Sequence, residues 1–194
     1  MNIDQYWTRH LRLVAERATC VRRKTGAIIT DLRGAILSSG YNGIGSGVPH
    51  CGTEGSPCTG ERTPGDSGNE NTACWATHAE QNAILTCHRL DLAWTMYCTN
   101  FPCFNCAKSI VNTPIKRIVA LEDYPGDRRG LVLLSFPKHS MTPDNVRQLR
   151  IGNTLWVREN GGILTNAFHD PLKDATEVID SACFYLYPCK DSIL

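Results

Sequence analysis

The chain has 194 residues, and its 20 basic and 19 acidic side chains leave a formal net charge of +1. So small a net charge argues against sequence-independent electrostatic binding to a nucleic-acid backbone. The first residues lack the charged and apolar regions of a signal peptide, and no apolar run approaches the roughly 18 residues of a membrane span. We therefore expect a cytoplasmic protein whose ten cysteines are metal ligands or core thiols rather than disulfides.

Hydrophobic periodicity predicts a helix and then a hairpin at the start of the chain. Apolar residues recur at helical spacing over residues 3–17, and residues 26–30 and 35–38 form two mostly buried strands joined by a turn. Residues 42–72 are rich in Gly, Pro, Ser and Thr and have almost no aliphatic side chains. A segment of this length without periodicity is usually functional, disordered or held by other contacts.

The middle of the chain alternates helices with strands. A helix is predicted over residues 77–89, with Thr77 as its N-cap, and a second over residues 102–112, which begins with a proline. Strands are predicted at residues 95–99 and 117–121, before and after the second helix. Because a strand, a helix and a strand joined by short segments form a parallel crossover, the sequence predicts an α/β domain with helices packed on a sheet.

The remainder of the chain has a weaker pattern. Residues 145–149 are predicted to be helical, and residues 154–157 and 183–187 to be strands. No internal repeat is visible. We therefore assign residues 1–159 to one domain and residues 160–194 to a C-terminal extension of unknown role, packed on the same domain.

Two short motifs carry a constellation suited to zinc. His78-Ala79-Glu80 lies near the predicted start of one helix, and Pro102-Cys103-Phe104-Asn105-Cys106 at the start of the other. Cys103 and Cys106 share a first helical turn, where free N–H groups and the helix dipole favour thiolates. With His78 they supply three metal ligands and leave the fourth position of a zinc ion open to water, as catalytic sites require.

Each part of this constellation also has a simpler interpretation. A Cys-x-x-Cys pair occurs in redox sites and in structural zinc sites. Thr77 and Glu80 fit a capping box, in which Glu80 only accepts the backbone N–H of Thr77. In that case the protein would be a zinc-stabilised binding module without catalytic activity.

The combination of the two motifs is the signature of zinc nucleobase deaminases. In such a site zinc lowers the pKa of its water to about 7, and a glutamate moves the protons. The sequence therefore predicts a hydrolase acting on a cyclic amidine such as C4 of cytosine, with Glu80 as the general acid and base.

Further segments narrow this prediction. They lie between residues 7 and 124 and include the two motifs: Ala18-Thr19-Cys20, Gly26-Ala27-Ile28, Gly40-Tyr41-Asn42-Gly43, Gly47-Val48-Pro49-His50-Cys51, His78-Ala79-Glu80-Gln81-Asn82-Ala83-Ile84 and Pro102-Cys103-Phe104-Asn105-Cys106-Ala107-Lys108. Together they resemble the deoxycytidylate (dCMP) deaminases of the zinc-dependent cytidine deaminase superfamily. The resemblance implies a three-layer α/β/α cytidine-deaminase-like fold with a central mixed five-stranded sheet, and conversion of dCMP to dUMP for thymidylate synthesis. Deamination of dCTP or a 5-modified dCMP is the nearest alternative, and the charge disfavours a polynucleotide cytosine or adenosine deaminase.

The same resemblance implies substrate-binding residues. Asn42 would contact the deoxyribose, and Tyr124 would line the pocket near the nucleotide. The phosphate would meet one of three neighbouring basic residues: Arg22, Arg23 or Lys24. An Asn-Gly turn accounts equally well for Asn42, and a solvated surface for the three basic side chains.

Regulation and assembly follow from the resemblance as well. Some members of the family are hexamers that dCTP activates and dTTP inhibits at a glycine-rich site. The corresponding residues here are Gly43, Gly47 and Arg89. Since residues 90–94 form a shorter segment than is usual in the family, an ordinary helix-end arginine is the alternative for Arg89.

Four cysteines bracket the segment that has no core of its own. They are Cys20, Cys51, Cys58 and Cys74. Some microbial and phage members of the family carry a second, structural zinc in this region, and a closed shell of four thiolates would contribute to folding and not to turnover. His50 could replace one cysteine, and unrelated free thiols are the alternative.

Overall fold

The computed structural model describes residues 1–60, 74–122, 124, 129–135, 148–151, 154–157 and 165–166. Four α-helices lie in this part of the chain: α1 (Ile3–Glu16), α2 (Ala79–Leu85), α3 (Phe104–Val111) and α4 (Arg129–Ser135). A 3₁₀ turn, Leu90–Leu92, follows α2. The described strands are β1 (Gly26–Thr30), β2 (Ile36–Tyr41), β3 (Thr95–Asn100), β4 (Arg117–Glu122), β5 (Gln148–Ile151), β6 (Thr154–Val157) and β7 (Thr165–Asn166).

The strands form one mixed sheet in the order β2-β1-β3-β4-β5-β6-β7. Strand β1 is antiparallel to β2 and β3, whereas β3, β4 and β5 run parallel to one another. The predicted number of five strands is wrong. Strands β1 to β4 make a four-stranded mixed sheet, and β5 to β7 continue it from the β4 edge, with β6 and β7 added as antiparallel neighbours. Of these three added strands, the sequence pattern predicted only β6, at residues 154–157.

Helices cover both faces of the sheet, as the predicted three layers require. All five residues of β1 are buried, and because side chains alternate along a strand, they supply two cores. Ile28 packs with Trp7 and Leu11 of α1 on one face. Ala27 and Ile29 face the other side and belong to the larger core, to which α2, α3 and α4 contribute.

Every element predicted between residues 3 and 121 is present, with ends shifted by a few residues. The helix predicted at residues 145–149 is wrong in its described part, because Gln148 and Leu149 pair with Arg117 and Ile118 of β4. The available edge of β4 decides their conformation. The strand predicted at residues 154–157 is confirmed as β6.

The C-terminal extension is described only at β7, which pairs with β6 in the same sheet. The predicted strand at residues 183–187 lies outside the described residues, and the division of the chain at residue 159 stays a prediction. Within the described part of the chain, no helix combines the length and the apolar character needed to cross a membrane.

A partly buried ion pair joins α1 to the sheet. The guanidinium of Arg117 donates two hydrogen bonds to the Asp4 carboxylate, at 2.7 and 2.6 Å, and the Tyr97 hydroxyl donates a third at 2.9 Å. The side chains of Arg117 and Asp4 are only 21% and 13% exposed. Burial, followed by the charge of Asp4, raises the pKa of Tyr97, so its hydroxyl remains a donor.

We expect Arg117→Met to destabilise the protein by roughly 2–4 kcal/mol, because it removes the two charge-assisted hydrogen bonds that Arg117 donates to the partly buried Asp4 carboxylate. Urea unfolding of the two proteins measures the difference. The control is Asp91→Asn, which breaks an exposed ion pair with Arg89 and should leave the midpoint unchanged. A loss in Arg117→Met no larger than that of the control would contradict the role of this pair.

Candidate active site

Two helices begin beside each other at the end of the sheet where β3 and β4 finish. His78 is the N-cap of α2, and Cys103 is the N-cap of α3, both with extended backbone. The prediction of Thr77 as N-cap is wrong by one residue. Thr77 instead forms an antiparallel bridge with Gly43, in which its N–H donates at 2.9 Å and its carbonyl accepts at 3.2 Å. This bridge fixes the chain immediately before His78.

The three predicted metal ligands come together. His78 Nδ1 lies 3.4 Å from Cys103 Sγ and 3.4 Å from Cys106 Sγ, and the three ligand atoms lie within 4.8 Å of one another. Zinc bonds of about 2.0–2.1 Å to nitrogen and 2.3 Å to sulfur, at tetrahedral angles, separate such atoms by about 3.5 Å. The donor set and its spacing therefore fit a zinc ion with one coordination position left over.

The same three groups share protons in the absence of a cation. Hydrogen bonding to Cys106, and then to His78, lowers the pKa of Cys103 to about 4. The hydrogen bond with Cys103 and burial raise the pKa of Cys106, and the hydrogen bond with Cys103 raises that of His78. These shifts favour deprotonation of Cys103 and retention of the protons of Cys106 and His78. A divalent cation would replace these protons, because metal ligation requires both thiolates and a neutral imidazole.

Glu80 is buried beside the ligands and does not cap its helix. Its side chain is 8% exposed, and Cys106 Sγ donates to Glu80 Oε2 at 3.5 Å. The reciprocal cap at the start of α2 comes from Gln81, whose Oε1 accepts the His78 N–H at 3.3 Å. The capping-box interpretation of Glu80 is therefore wrong. Burial raises the pKa of Glu80, and the charge of His78 opposes that effect only in part, so the carboxyl keeps its proton to a higher pH than an exposed glutamate does.

Gly40 is a residue whose role the sequence did not reveal. A Cβ at Gly40 would lie 2.3 Å from the carbonyl oxygen of Ala79 and 2.3 Å from the nitrogen of Ala83. Only glycine permits so close an approach between β2 and α2. The contact holds the first turn of α2 against β2 and so fixes the distance of His78 and Glu80 from the sheet. Its signal in the sequence was the position of Gly40 at the start of the Gly-Tyr-Asn-Gly segment.

The predicted deoxyribose contact, Asn42, fastens a loop in this structure. Its Oδ1 accepts the Thr25 N–H at 2.8 Å, and its Nδ2 donates to the Arg23 carbonyl at 2.8 Å. The side chain is 8% exposed, so it fixes the connection between α1 and β1. The Asn42 amide carries a second N–H, which donates no hydrogen bond within the described residues.

The other predicted substrate residues lie nearer the surface. Tyr124 is half-buried against the larger core just beyond β4. Arg22 is half-buried, and Arg23 and Lys24 are exposed. Lys24 Nζ donates to the Glu16 carbonyl at 3.4 Å, which is near the C-terminal end of α1.

The three predicted effector residues do not form one cluster of contacts. Gly43 is held in its bridge with Thr77, and Gly47 has φ +85 and open space around a Cβ. Arg89 pairs with Asp91 through two hydrogen bonds, at 3.0 and 2.9 Å, with both side chains 62% exposed. These contacts favour the interpretation of Arg89 as an ordinary surface arginine.

Of the four cysteines of the predicted second metal site, Cys51 and Cys58 are in direct contact. Within the described residues, however, His78, Cys103 and Cys106 form the only group of three or more ligating side chains close enough to share a metal ion. Cys51 Sγ and Cys58 Sγ lie 3.3 Å apart, and both side chains are 2% exposed. The backbone N–H of Trp75 lowers the pKa of Cys58, and hydrogen bonds from Cys51 and Cys74 lower it further. Burial raises the pKa of Cys51, and its electrostatic interaction with Cys20 adds a smaller increase. His50 is exposed, so the four thiols are the better ligand candidates.

Comparison with known proteins identifies similar sequences. The family profile described as the cytidine and deoxycytidylate deaminase zinc-binding region matches residues 1–122. The deoxycytidylate deaminase of Saccharomyces cerevisiae is 33% identical over 134 residues, which cover 68% of this chain and 41% of that protein. The deoxycytidylate deaminase of Mycobacterium phage D29 is 37% identical over 119 residues, which cover 60% of this chain and 91% of that protein. The match thus spans less than half of the yeast protein and most of the phage protein.

The fold also resembles a solved structure. The dCMP deaminase of the cyanophage S-TIM5, in its apo form, superposes with a TM-score of 0.54 and 24% sequence identity, covering 78% of this chain and 99% of that one. At this identity the likeness concerns the fold alone. It supports the α/β fold with a mixed sheet.

Proposed function

Since the chain belongs to the cytidine and deoxycytidylate deaminase family, we propose that it is an enzyme that hydrolyses dCMP to dUMP and ammonia. The observation that carries the proposal is the convergence of His78, Cys103 and Cys106 beside the buried carboxyl of Glu80. Curated relatives named deoxycytidylate deaminase support dCMP as the substrate. The S-TIM5 enzyme of similar fold has been solved in complex with dCMP and dUMP.

His78, Cys103 and Cys106 would hold the zinc ion. A bound zinc ion supplies a Lewis acid that makes water nucleophilic near neutral pH. Glu80 takes the proton of the attacking water on a carboxylate oxygen and returns it to N3 of the cytosine ring. It then takes the proton of the new C4 hydroxyl and delivers it to the amine, and the C–N bond breaks as the C4 carbonyl forms, so that one water is consumed and one ammonia is released. Burial of Glu80 suits both roles, because it brings the pKa of the carboxyl closer to neutral pH.

The substrate contacts and the regulation belong to the same proposal. Asn42 would reach the deoxyribose with its second N–H, Tyr124 would border the nucleotide, and one of the basic residues 22–24 would meet the phosphate. Assembly into a homo-oligomer such as a hexamer, control by dCTP and dTTP, and residence in the cytoplasm are proposed by family resemblance. All described cysteines are free thiols, which fits a reducing compartment.

A panel assay tests the substrate. We expect ammonia release from dCMP to exceed that from dCTP, CMP, deoxycytidine and 5-methyl-dCMP, with the assay repeated in the presence of dCTP as effector. Preferential turnover of dCTP or of a 5-substituted monophosphate would favour the nearest alternatives. If the zinc-loaded protein turned over no monophosphate, dCMP deamination would be wrong.

The variant Glu80→Gln tests the chemistry. We expect kcat for dCMP to fall by about 10²–10⁴-fold, because an amide can neither accept the proton of water nor deliver it. Zinc content, measured by elemental analysis, should stay at the wild-type value, because Glu80 is not a ligand. The matched control is Glu16→Gln, which makes the same change at an exposed position and should leave kcat unchanged. Normal turnover in Glu80→Gln would remove Glu80 from the mechanism.

We further propose that Cys20, Cys51, Cys58 and Cys74 bind a second zinc ion with a structural role. The support is the contact between Cys51 and Cys58 and the amide N–H groups of Val21, Gly60 and Trp75 that stabilise thiolate charge on these two residues. Such N–H donors serve as outer partners of metal-bound ligands. A closed shell of four thiolates leaves no position for water, so this ion would take no part in turnover.

Elemental analysis distinguishes one zinc ion from two. We expect about two zinc ions per wild-type chain and about one in Cys58→Ser, which should also unfold at a lower temperature because the metal contributes to folding. The control is Cys87→Ser, which changes a thiol outside this group and should leave the zinc content at the wild-type value. One zinc ion per wild-type chain would refute the second site.

A further inference from the structure

Helix α4 touches the metal-binding loop from outside the site. A Cβ at Gly130 would lie 2.4 Å from the carbonyl oxygen of Pro102 and 3.2 Å from the carbonyl carbon of Cys103. The first of these distances is shorter than a Cβ can adopt, so the backbone of α4 rests directly on the backbone that leads into Cys103. Glycine is the residue that allows this approach.

Arg129, the residue before Gly130, contacts Phe104, the first residue of α3. The guanidinium carbon of Arg129 lies 4.8 Å from the centroid of the Phe104 ring, and Lys108 Nζ lies 5.1 Å from the same centroid. Cations within about 6 Å of an aromatic face are attracted by its quadrupole, and arginine also stacks on the ring. Phe104 is half-buried and directly follows Cys103 in the chain. Its ring is therefore held by its own helix, through Lys108, and by α4, through Arg129.

The opposite end of the loop is fixed to the sheet. The N–H of Phe101 donates to the carbonyl of Glu122 at 2.8 Å, which ties the start of the loop to the end of β4. The segment from Phe101 to Phe104 is thus anchored to β4 at one end and to α4 at the other. Catalytic groups must be held to within about 0.5 Å of their productive positions, and that precision comes from the residues around them.

We propose that Arg129 and Gly130 are positioning residues of the metal site, which act on Cys103 through Phe104 and Pro102. The proposal rests on the proposed function in taking Cys103 and Cys106 as zinc ligands. The guanidinium of Arg129 lies over the ring of Phe104, the residue after Cys103, and Gly130 sets the distance of α4 from the loop. Loss of such an outer partner weakens metal binding by about 10–100-fold, and a shift of about 1 Å can reduce turnover by about 100-fold.

Cobalt substitution tests the proposal without substrate. Arg129→Gln removes the charge, Arg129→Lys keeps a cation over the ring, and Arg12→Gln changes an exposed arginine of α1 as the matched control. We expect Arg129→Gln to alter the visible and thiolate charge-transfer bands of the cobalt(II) protein. Its zinc should pass to a chelator about tenfold faster than wild-type zinc. Arg129→Lys should restore part of both properties, and Arg12→Gln should match the wild type.

Thermal unfolding separates positioning from a general structural role. If Arg129→Gln lowers the unfolding temperature but leaves the cobalt spectrum and the zinc release rate unchanged, the proposal is overturned. Gly130→Ala should change the cobalt spectrum more strongly than Arg129→Gln does. If Gly130→Ala does not fold, the result for Arg129→Gln alone decides the test. For dCMP, Arg129→Gln should lower kcat more than it changes KM. A zinc-loaded wild type inactive on dCMP would overturn the proposed function, while an altered spectrum in Arg129→Gln would still support positioning.

Discussion

Direct backbone contact at two glycines sets the position of the candidate active site. Gly40 lets α2 lie on β2, and Gly130 lets α4 lie on the loop before α3. The first contact fixes His78 and Glu80, and the second fixes the approach to Cys103. Both depend on the absence of a side chain, because a methyl group would occupy the space of backbone atoms. Three ligand atoms within 4.8 Å require helices that are placed this tightly.

Burial then gives the site its chemistry. Glu80 and Cys106 lie in a region that excludes water, where a charge is costly unless a neighbour compensates it. The hydrogen bond between Cys103 and His78 lowers the pKa of Cys103 and raises that of His78, and a divalent cation would stabilise both thiolates. The same burial raises the pKa of Glu80, which suits the proton transfers proposed for it. One environment thus favours metal binding and acid–base work in adjacent groups.

The cysteines between residues 20 and 74 lie in and beside a segment that has little hydrophobic core of its own. The described ends of this segment have few aliphatic side chains, and the buried sulfur pair of Cys51 and Cys58 provides a local centre for it. The bridge between Gly43 and Thr77 closes the segment that contains this pair and fixes its end immediately before His78. A structural metal there would stabilise the approach to His78 without touching the reaction.

The sequence by itself determined the ligand set, because His-x-Glu and Cys-x-x-Cys at helix starts require particular residue types at fixed spacing. It also determined the strands and helices up to residue 121, since their hydrophobic periods are local. Tertiary structure decided that Gln81 rather than Glu80 completes the cap, that Asn42 fastens a loop, and that residues 148–149 form a strand. These outcomes depend on which distant backbone group lies within hydrogen-bonding reach. That proximity arises only when the layers pack, so no local pattern could encode it.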